Sequence, residues 1–445
     1  MIERYIARDI PCSCGQTHRS RVETIEIRDN VIEHGLVEYL KSKGYKKLTV
    51  VCDRNTHRVA GSRVCGVLEQ QGIPYKLHLY REEQVLPNEH FIGSLAMGMA
   101  LDCDLILAVG SGTINDICRY VSAVAGKPYC IVGTAPSMDG YIAAGSALIC
   151  NNMKLTFETH TPAAVFLDPQ ILSRAPRDMI AAGVGDLLGK INCLTDWQLS
   201  KIVNREWHCG FISDIVDTAI QTVTAQSDGI AAGDPAAAAD LVEALLLSGV
   251  CMDFAGNSRP ASGCEHHLSH FWEMRYLLEG REAVFHGTKV GIGTVIALKA
   301  YARIAGLEPD FAAIKTLPRK PVEAWEREIG AAFLEAADGI LALEKKSGKN
   351  SPEKLAVRLE AIEENWDEIK DLARNAAGSA RPVREILEKL EAPVMPHQIG
   401  VPKEMARQAI LYAKELRDRY TVLQLLWDLG ELECFAEDIV AEYYG

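Results

Sequence analysis

Basic charge is what this sequence has least of relative to need. Lys and Arg number 47 against 60 Asp and Glu, a formal net charge of -13 over 445 residues. Nucleic-acid binding depends on cations that neutralise phosphates, so no nucleic-acid partner is expected. A small anionic substrate is not excluded, since a few local cations within one pocket suffice. No positively charged segment leads into an apolar stretch near the N-terminus, and no signal peptide is expected. No apolar run approaches the length that spans a bilayer, so no membrane span is expected either. Cysteine is plentiful at 13, yet a disulfide-like spacing is missing. Cys65, Cys103, Cys130, Cys150, Cys193 and Cys251 are scattered through apolar stretches, where a free thiol behaves as a small hydrophobe. A reduced, cytoplasmic setting is the expectation. One local exception is Cys12-Ser13-Cys14-Gly15-Gln16-Thr17-His18, which superficially resembles a metal knuckle. Only three ligands stand close together and no second Cys pair follows, which weighs against a metal there.

The chain is too long for one core of ordinary size, and two domains, with three as the alternative, are expected. Through residue 175, strand-like runs alternate with helical ones. Lys47–Cys52, Tyr75–Tyr80, Leu105–Val109 and Pro128–Val132 read as strands, with helices over Arg58–Gln71, Asn88–Leu101 and up to Val124. Such βαβ units imply a mostly parallel, Rossmann-like sheet whose ligands sit at the strand carboxyl ends. From residue 176 to 445 helical periodicity takes over, so an all-helical C-terminal domain should follow the α/β domain. Within it, residues 308–390 are more charged. Their Glu and Lys pairs at helical spacing read as solvated faces, and the segment is taken as a helical elaboration with no chemistry of its own.

After the strand ending at Val109 comes Gly110-Ser111-Gly112-Thr113-Ile114-Asn115-Asp116. Glycines there let the backbone turn sharply and bring N–H groups to a pyrophosphate, while the next helix offers its positive end. Asn115 stands where the common dinucleotide fingerprint has its third glycine. Asp53, ending an earlier strand, is placed either to bind an adenosine ribose or merely to cap the helix near Thr56. Its charge favours NAD, although Arg54 beside it could accommodate NADP.

Three further motifs lie in the helical half. They are Gly183-Val184-Gly185-Asp186-Leu187, Ser262-Gly263-Cys264-Glu265-His266-His267-Leu268-Ser269-His270, and His286-Gly287. His266 and His270 are four apart, on one face of a helix. Two imidazoles and one carboxylate leave coordination positions open, the arrangement of a catalytic metal site. Asp186 on its own reads more often as a helix cap than as a ligand.

These motifs, with Thr134-Ala135-Pro136-Ser137-Met138-Asp139-Gly140-Tyr141 and Ser258-Arg259-Pro260-Ala261, resemble the sn-glycerol-1-phosphate dehydrogenase family. That family lies within the superfamily of iron-type alcohol dehydrogenases and dehydroquinate synthases. The resemblance spans roughly residues 25–305 and 396–432, and Cys264 stands where Ser is more usual. It implies one divalent metal (zinc, nickel or iron) held by Asp186, His266 and His286. It further implies a cofactor, NAD or NADP, bound by Asp53, Gly110, Ser111, Gly112, Thr113, Asp116, Thr134 and Ser137, with Lys154 on its phosphates or simply solvated. Asp139 and His270 would be catalytic and touch substrate. Arg259 and Lys289 are the candidate cations for a substrate phosphate, unless each pairs with a nearby acid. The implied reaction reduces dihydroxyacetone phosphate to sn-glycerol 1-phosphate, a step of phospholipid metabolism. The rivals are a glycerol or polyol dehydrogenase, a dehydroquinate synthase-like lyase and an inactive binding protein. A homodimer is the expected assembly.

Overall fold

The structure, a computed structural model, describes residues 2–150 and 153–445. In chain order its strands are β1 (Asp9–Pro11), β2 (Thr17–Arg19), β3 (Thr24–Ile27), β4 (Leu48–Asp53), β5 (Tyr75–Tyr80), β6 (Leu105–Gly110), β7 (Tyr129–Gly133), β8 (Gly145–Cys150), β9 (Met153–Glu158) and β10 (Ala164–Leu167). Six of them form one sheet in the order β3-β10-β7-β6-β4-β5, parallel at every pairing. Every residue of β6, β7 and β10 is buried. Their unbroken apolar runs are what a strand covered by helices on both faces requires. From β4 the chain crosses to β5 on one side, then returns to β6 on the other. This reversal opens a crevice between the carboxyl ends of β4 and β6, at Asp53 and Gly110, where such sheets bind ligands. β1 with β2, and β8 with β9, form separate antiparallel hairpins.

The chain divides into two compact units. One holds the residues up to Leu187 together with Thr218–Asn257, and the other Leu188–Asp217 with Ser258–Gly445. The division therefore differs from a single boundary at 175/176. Most of helix Arg177–Leu188 and all of helix Pro235–Ala255 join the sheet's unit. Close backbone approach explains the first. A Cβ on Gly183 would lie 1.8 Å from the carbonyl oxygen of Pro136, so only glycine lets that helix rest on the loop after β7. Helix Pro235–Ala255 is long and apolar enough to cross a membrane by length and composition alone, a test that the buried core helix of a globular protein also passes. In the protein 67% of its apolar window is buried.

The second unit is helical, with no strand among its described residues. Helices Cys264–Leu278 and His286–Gly306 approach closely at Gly293, where an added Cβ would lie 2.5 Å from the carbonyl oxygen of Glu265. Segment 308–390 forms further helices, anchored from inside by Arg358. Its guanidinium donates to both carboxylate oxygens of Asp428 at 2.7 and 2.8 Å.

Candidate active site

The glycine turn sits where the sequence placed it. β6 ends at Gly110, and helix Gly112–Ala125 starts after Ser111, whose side chain does not cap it. Ser111 Oγ instead shares a 2.7 Å hydrogen bond with Ser137 Oγ, tying the turn to the loop after β7. The Thr134 N–H donates to the Gly110 carbonyl at 3.0 Å, and Thr113 lies half-buried in the first turn. An uncapped helix N-terminus behind a parallel strand suits a pyrophosphate. Asn115, in place of the third fingerprint glycine, donates Nδ2 to the carbonyls of Gly140 and Tyr141 at 3.2 and 3.3 Å, bracing the loop.

Asp116 is engaged within the protein. Burial pushes its carboxyl up to about 6, against the pull of Arg119 and then of Lys154. Arg119 Nη1 lies 2.8 Å from its carboxylate. Lys154, exposed on β9, thus feels Asp116 across the fold of this unit. Asp53 does cap helix Arg54–Thr56, accepting from the Thr56 N–H at 2.8 Å. It also lines an open cavity of about 290 Å³ with Arg54, Asn55, Glu82 and Glu83, so capping and ligand binding are compatible there.

Asp139 and Asp186 meet within the first unit. The Asp139 N–H donates to Asp186 Oδ2 at 3.0 Å, and Ser248 donates its hydroxyl to Asp139 Oδ2 at 2.9 Å. Asp186 is fully buried, a costly place for a carboxylate without strong partners.

In the second unit three imidazoles converge. Ring centroids lie 5.1 Å apart for His266 and His286, 5.6 Å for His270 and His286, and 6.0 Å for His266 and His270. The approach of their helices at Gly293 makes this possible. Glu265 Oε1 sits 2.7 Å from His266 Nδ1, and it also accepts the Gly263 N–H at 2.8 Å. A carboxylate on Nδ1 keeps the proton there and leaves Nε2 as a ligand, the usual support of a metal-bound histidine. His270 Nδ1 faces Glu273 Oε2 at 3.4 Å. Ligand atoms of His270, Glu273 and His286 all lie within 4.8 Å of one another.

Both candidate phosphate cations are buried and paired. Arg259 meets Glu206 at 3.0 and 3.1 Å and donates to the Tyr420 carbonyl at 2.9 Å. Lys289 Nζ lies 3.3 Å from Glu273 and donates to the Val284 carbonyl at 2.7 Å. Sequence reasoning passed over Ser248, Glu265 and Glu273. Glu265 adjoins His266 and Glu273 follows His270 by one helical turn, so the carboxylate-on-histidine pattern was there to find. Ser248 had no local signal, because it reaches Asp139 across 109 residues.

The profile of the iron-containing alcohol dehydrogenase family matches residues 26–176. A glycerol-1-phosphate dehydrogenase [NAD(P)+] of Halalkalibacterium halodurans is 34% identical over 419 residues, covering 93% of this chain and 95% of that one. The like-named protein of Bacillus licheniformis is 33% identical, covering 95% and 93%. Among solved structures, sulfoacetaldehyde reductase from Bifidobacterium kashiwanohense in complex with NAD+ shares the fold. Its TM-score is 0.61 at 12% identity, with 95% of this chain and 98% of that chain covered.

Proposed function

This chain belongs to the glycerol-1-phosphate dehydrogenase family of iron-containing alcohol dehydrogenases, and we propose that it reduces dihydroxyacetone phosphate to sn-glycerol 1-phosphate with NADH or NADPH. The observation that carries the reading is the near-full-length likeness to relatives bearing that name, now joined to a histidine cluster suited to a metal. The proposed ligands are Asp186, His266 and His286. The donor set fits a divalent ion, since Glu265 holds His266 in the tautomer that ligation needs. When bound, the metal polarises the ketone and the reduced nicotinamide supplies hydride.

The chain's own residues do the positioning. Gly110, Ser111, Gly112 and Thr113 offer backbone and hydroxyl donors to the dinucleotide, with Thr134, Ser137, Asp116 and Lys154 beside them. Asp139, steadied by Ser248, orients the substrate. His270, its Nδ1 turned to Glu273, delivers the proton from Nε2 to the new alcohol. Arg259 and Lys289 pair with Glu206 and Glu273, the condition under which neither was expected to serve the substrate phosphate, so both are taken as structural cations.

Three carboxylates around the Asp53 cavity face one guanidinium. That balance repels a 2′-phosphate, so kcat/KM should be higher with NADH than with NADPH. Zinc, nickel and iron all suit the ligands, and metal analysis of the active protein decides among them. A cytoplasmic location is proposed from the scatter of cysteines through apolar stretches, where a thiol acts as a small hydrophobe. A homodimer is proposed as the commonest closed assembly. Turnover of dihydroxyacetone phosphate compared with dihydroxyacetone and glycerol tests the substrate. A preference for the unphosphorylated compounds contradicts the proposal.

A further inference from the structure

The N-terminal hairpin carries donors that the dehydrogenase chemistry does not use. β1 and β2 are three residues each, paired Ile10 to His18 and Pro11 to Thr17. A two-stranded hairpin this short has little stability alone. Its turn is nevertheless tight. The Cys12 N–H donates to the Gln16 carbonyl at 3.0 Å, and the Gly15 N–H to the Cys12 carbonyl at 3.1 Å. Gly15 takes a φ of +86°, a left-handed conformation that glycine adopts without strain. The turn folds Cys12 and Cys14 back toward His18.

His18 is 1% exposed and is held from behind. Its ring stacks on Phe254 with centroids 5.3 Å apart, and Nδ1 lies 3.2 Å from the Phe254 carbonyl oxygen. A carbonyl only accepts, so Nδ1 carries the proton and Nε2 presents a lone pair. Nε2 points at Cys14 Sγ, 3.4 Å away. Two ligands of one tetrahedral zinc ion are separated by roughly 3.5 Å, given the usual Zn–S and Zn–N lengths. Cys12 Sγ, Cys14 Sγ and a His18 ring nitrogen all lie within 4.8 Å of one another. A backbone carbonyl fixing one ring nitrogen while the other faces thiols is how ligating histidines are oriented.

We propose that Cys12, Cys14 and His18 bind a second, structural divalent cation of the thiophilic class, zinc foremost, which staples the N-terminal hairpin to the helix carrying Phe254. Soft sulfur donors with one imidazole select zinc over magnesium or calcium. On binding, each thiol releases its proton to solvent, and the two thiolates offset the charge of the dication. No electron changes hands. A fourth position remains for a donor outside the hairpin. The site is independent of the dehydrogenase reading.

Cobalt titration of the metal-stripped, reduced full-length protein tests it. The proposed catalytic ligands contain no sulfur, so thiolate-to-cobalt absorbance in the near ultraviolet reports the hairpin alone. The expected result is one equivalent of cobalt with that signature, displaced by zinc and abolished in the Cys12→Ser/Cys14→Ser double variant. His18→Ala should weaken the affinity at least about tenfold. A wild-type protein that shows no thiolate band at saturating cobalt overturns the proposal, even if the variants fail to fold. So does a band that survives in the double variant, or a Cys12–Cys14 disulfide in protein purified without reductant.

Discussion

Glu265 is the side chain on which the histidine cluster depends. It is fully buried, and its position against Nδ1 suits it to orient His266, a proposed metal ligand, rather than to ligate. Glu265→Gln should weaken divalent-metal affinity about 10- to 100-fold while the helical content stays unchanged. Isothermal titration of the stripped protein, with circular dichroism, reads both. Elsewhere in the same unit, Glu415 is buried with two ammoniums, Lys349 at 3.2 Å and Lys414 in direct contact. Despite the opposing cost of burial, those cations hold its carboxyl down at about 2. The unfolded value is about 4.3, so its stabilising contribution is complete above that pH and is lost as pH falls toward 2. Glu415→Gln should therefore cost roughly 3–5 kcal/mol at neutral pH, and the gap to wild type should close in acid. Denaturant titrations at several pH values check this. At this scale the sequence was informative where a chemical type recurs at short spacing, as in His266, His270 and His286. It left open whether Arg259 and Lys289 pair with acids, because Glu206 and Glu273 meet them only in the folded chain.

At the scale of elements, one glycine decides whether two helices can touch. Gly293→Ala should push helices Cys264–Leu278 and His286–Gly306 apart, costing about 1–3 kcal/mol and weakening metal binding in the same variant. Thermal unfolding with and without added metal measures both effects. Alanine at a position of the same helix with open space around it, Gly306, serves as the control. Legibility of elements followed their length. β4, β6 and β7 were readable as apolar runs bounded by turn residues, and β5 as an alternating one. β3 and β10 were not, since four residues such as Ala164–Leu167 carry no period that separates strand from loop. Helical periodicity from residue 176 onward gave no internal boundary at Gly189, where the structure ends one helix at Leu188 and starts the next at Lys190.

For the whole molecule, the α/β-then-helical order was legible from the change of hydrophobic period, and the fold bears it out. The assignment of helix Pro235–Ala255 to the sheet's unit was not. It depends on Gly249 and Ser248 meeting the loop at Asp139 and Ile142, contacts with no trace in local sequence. The reaction itself is decided by a single assay. Metal-replete protein, dihydroxyacetone phosphate and NADH are incubated, nicotinamide absorbance is followed, and the product's configuration is assigned enzymatically. Stoichiometric NADH oxidation yielding sn-glycerol 1-phosphate is expected, abolished by His266→Ala. Formation of sn-glycerol 3-phosphate, or no net change in nicotinamide absorbance with the metal bound, would contradict it.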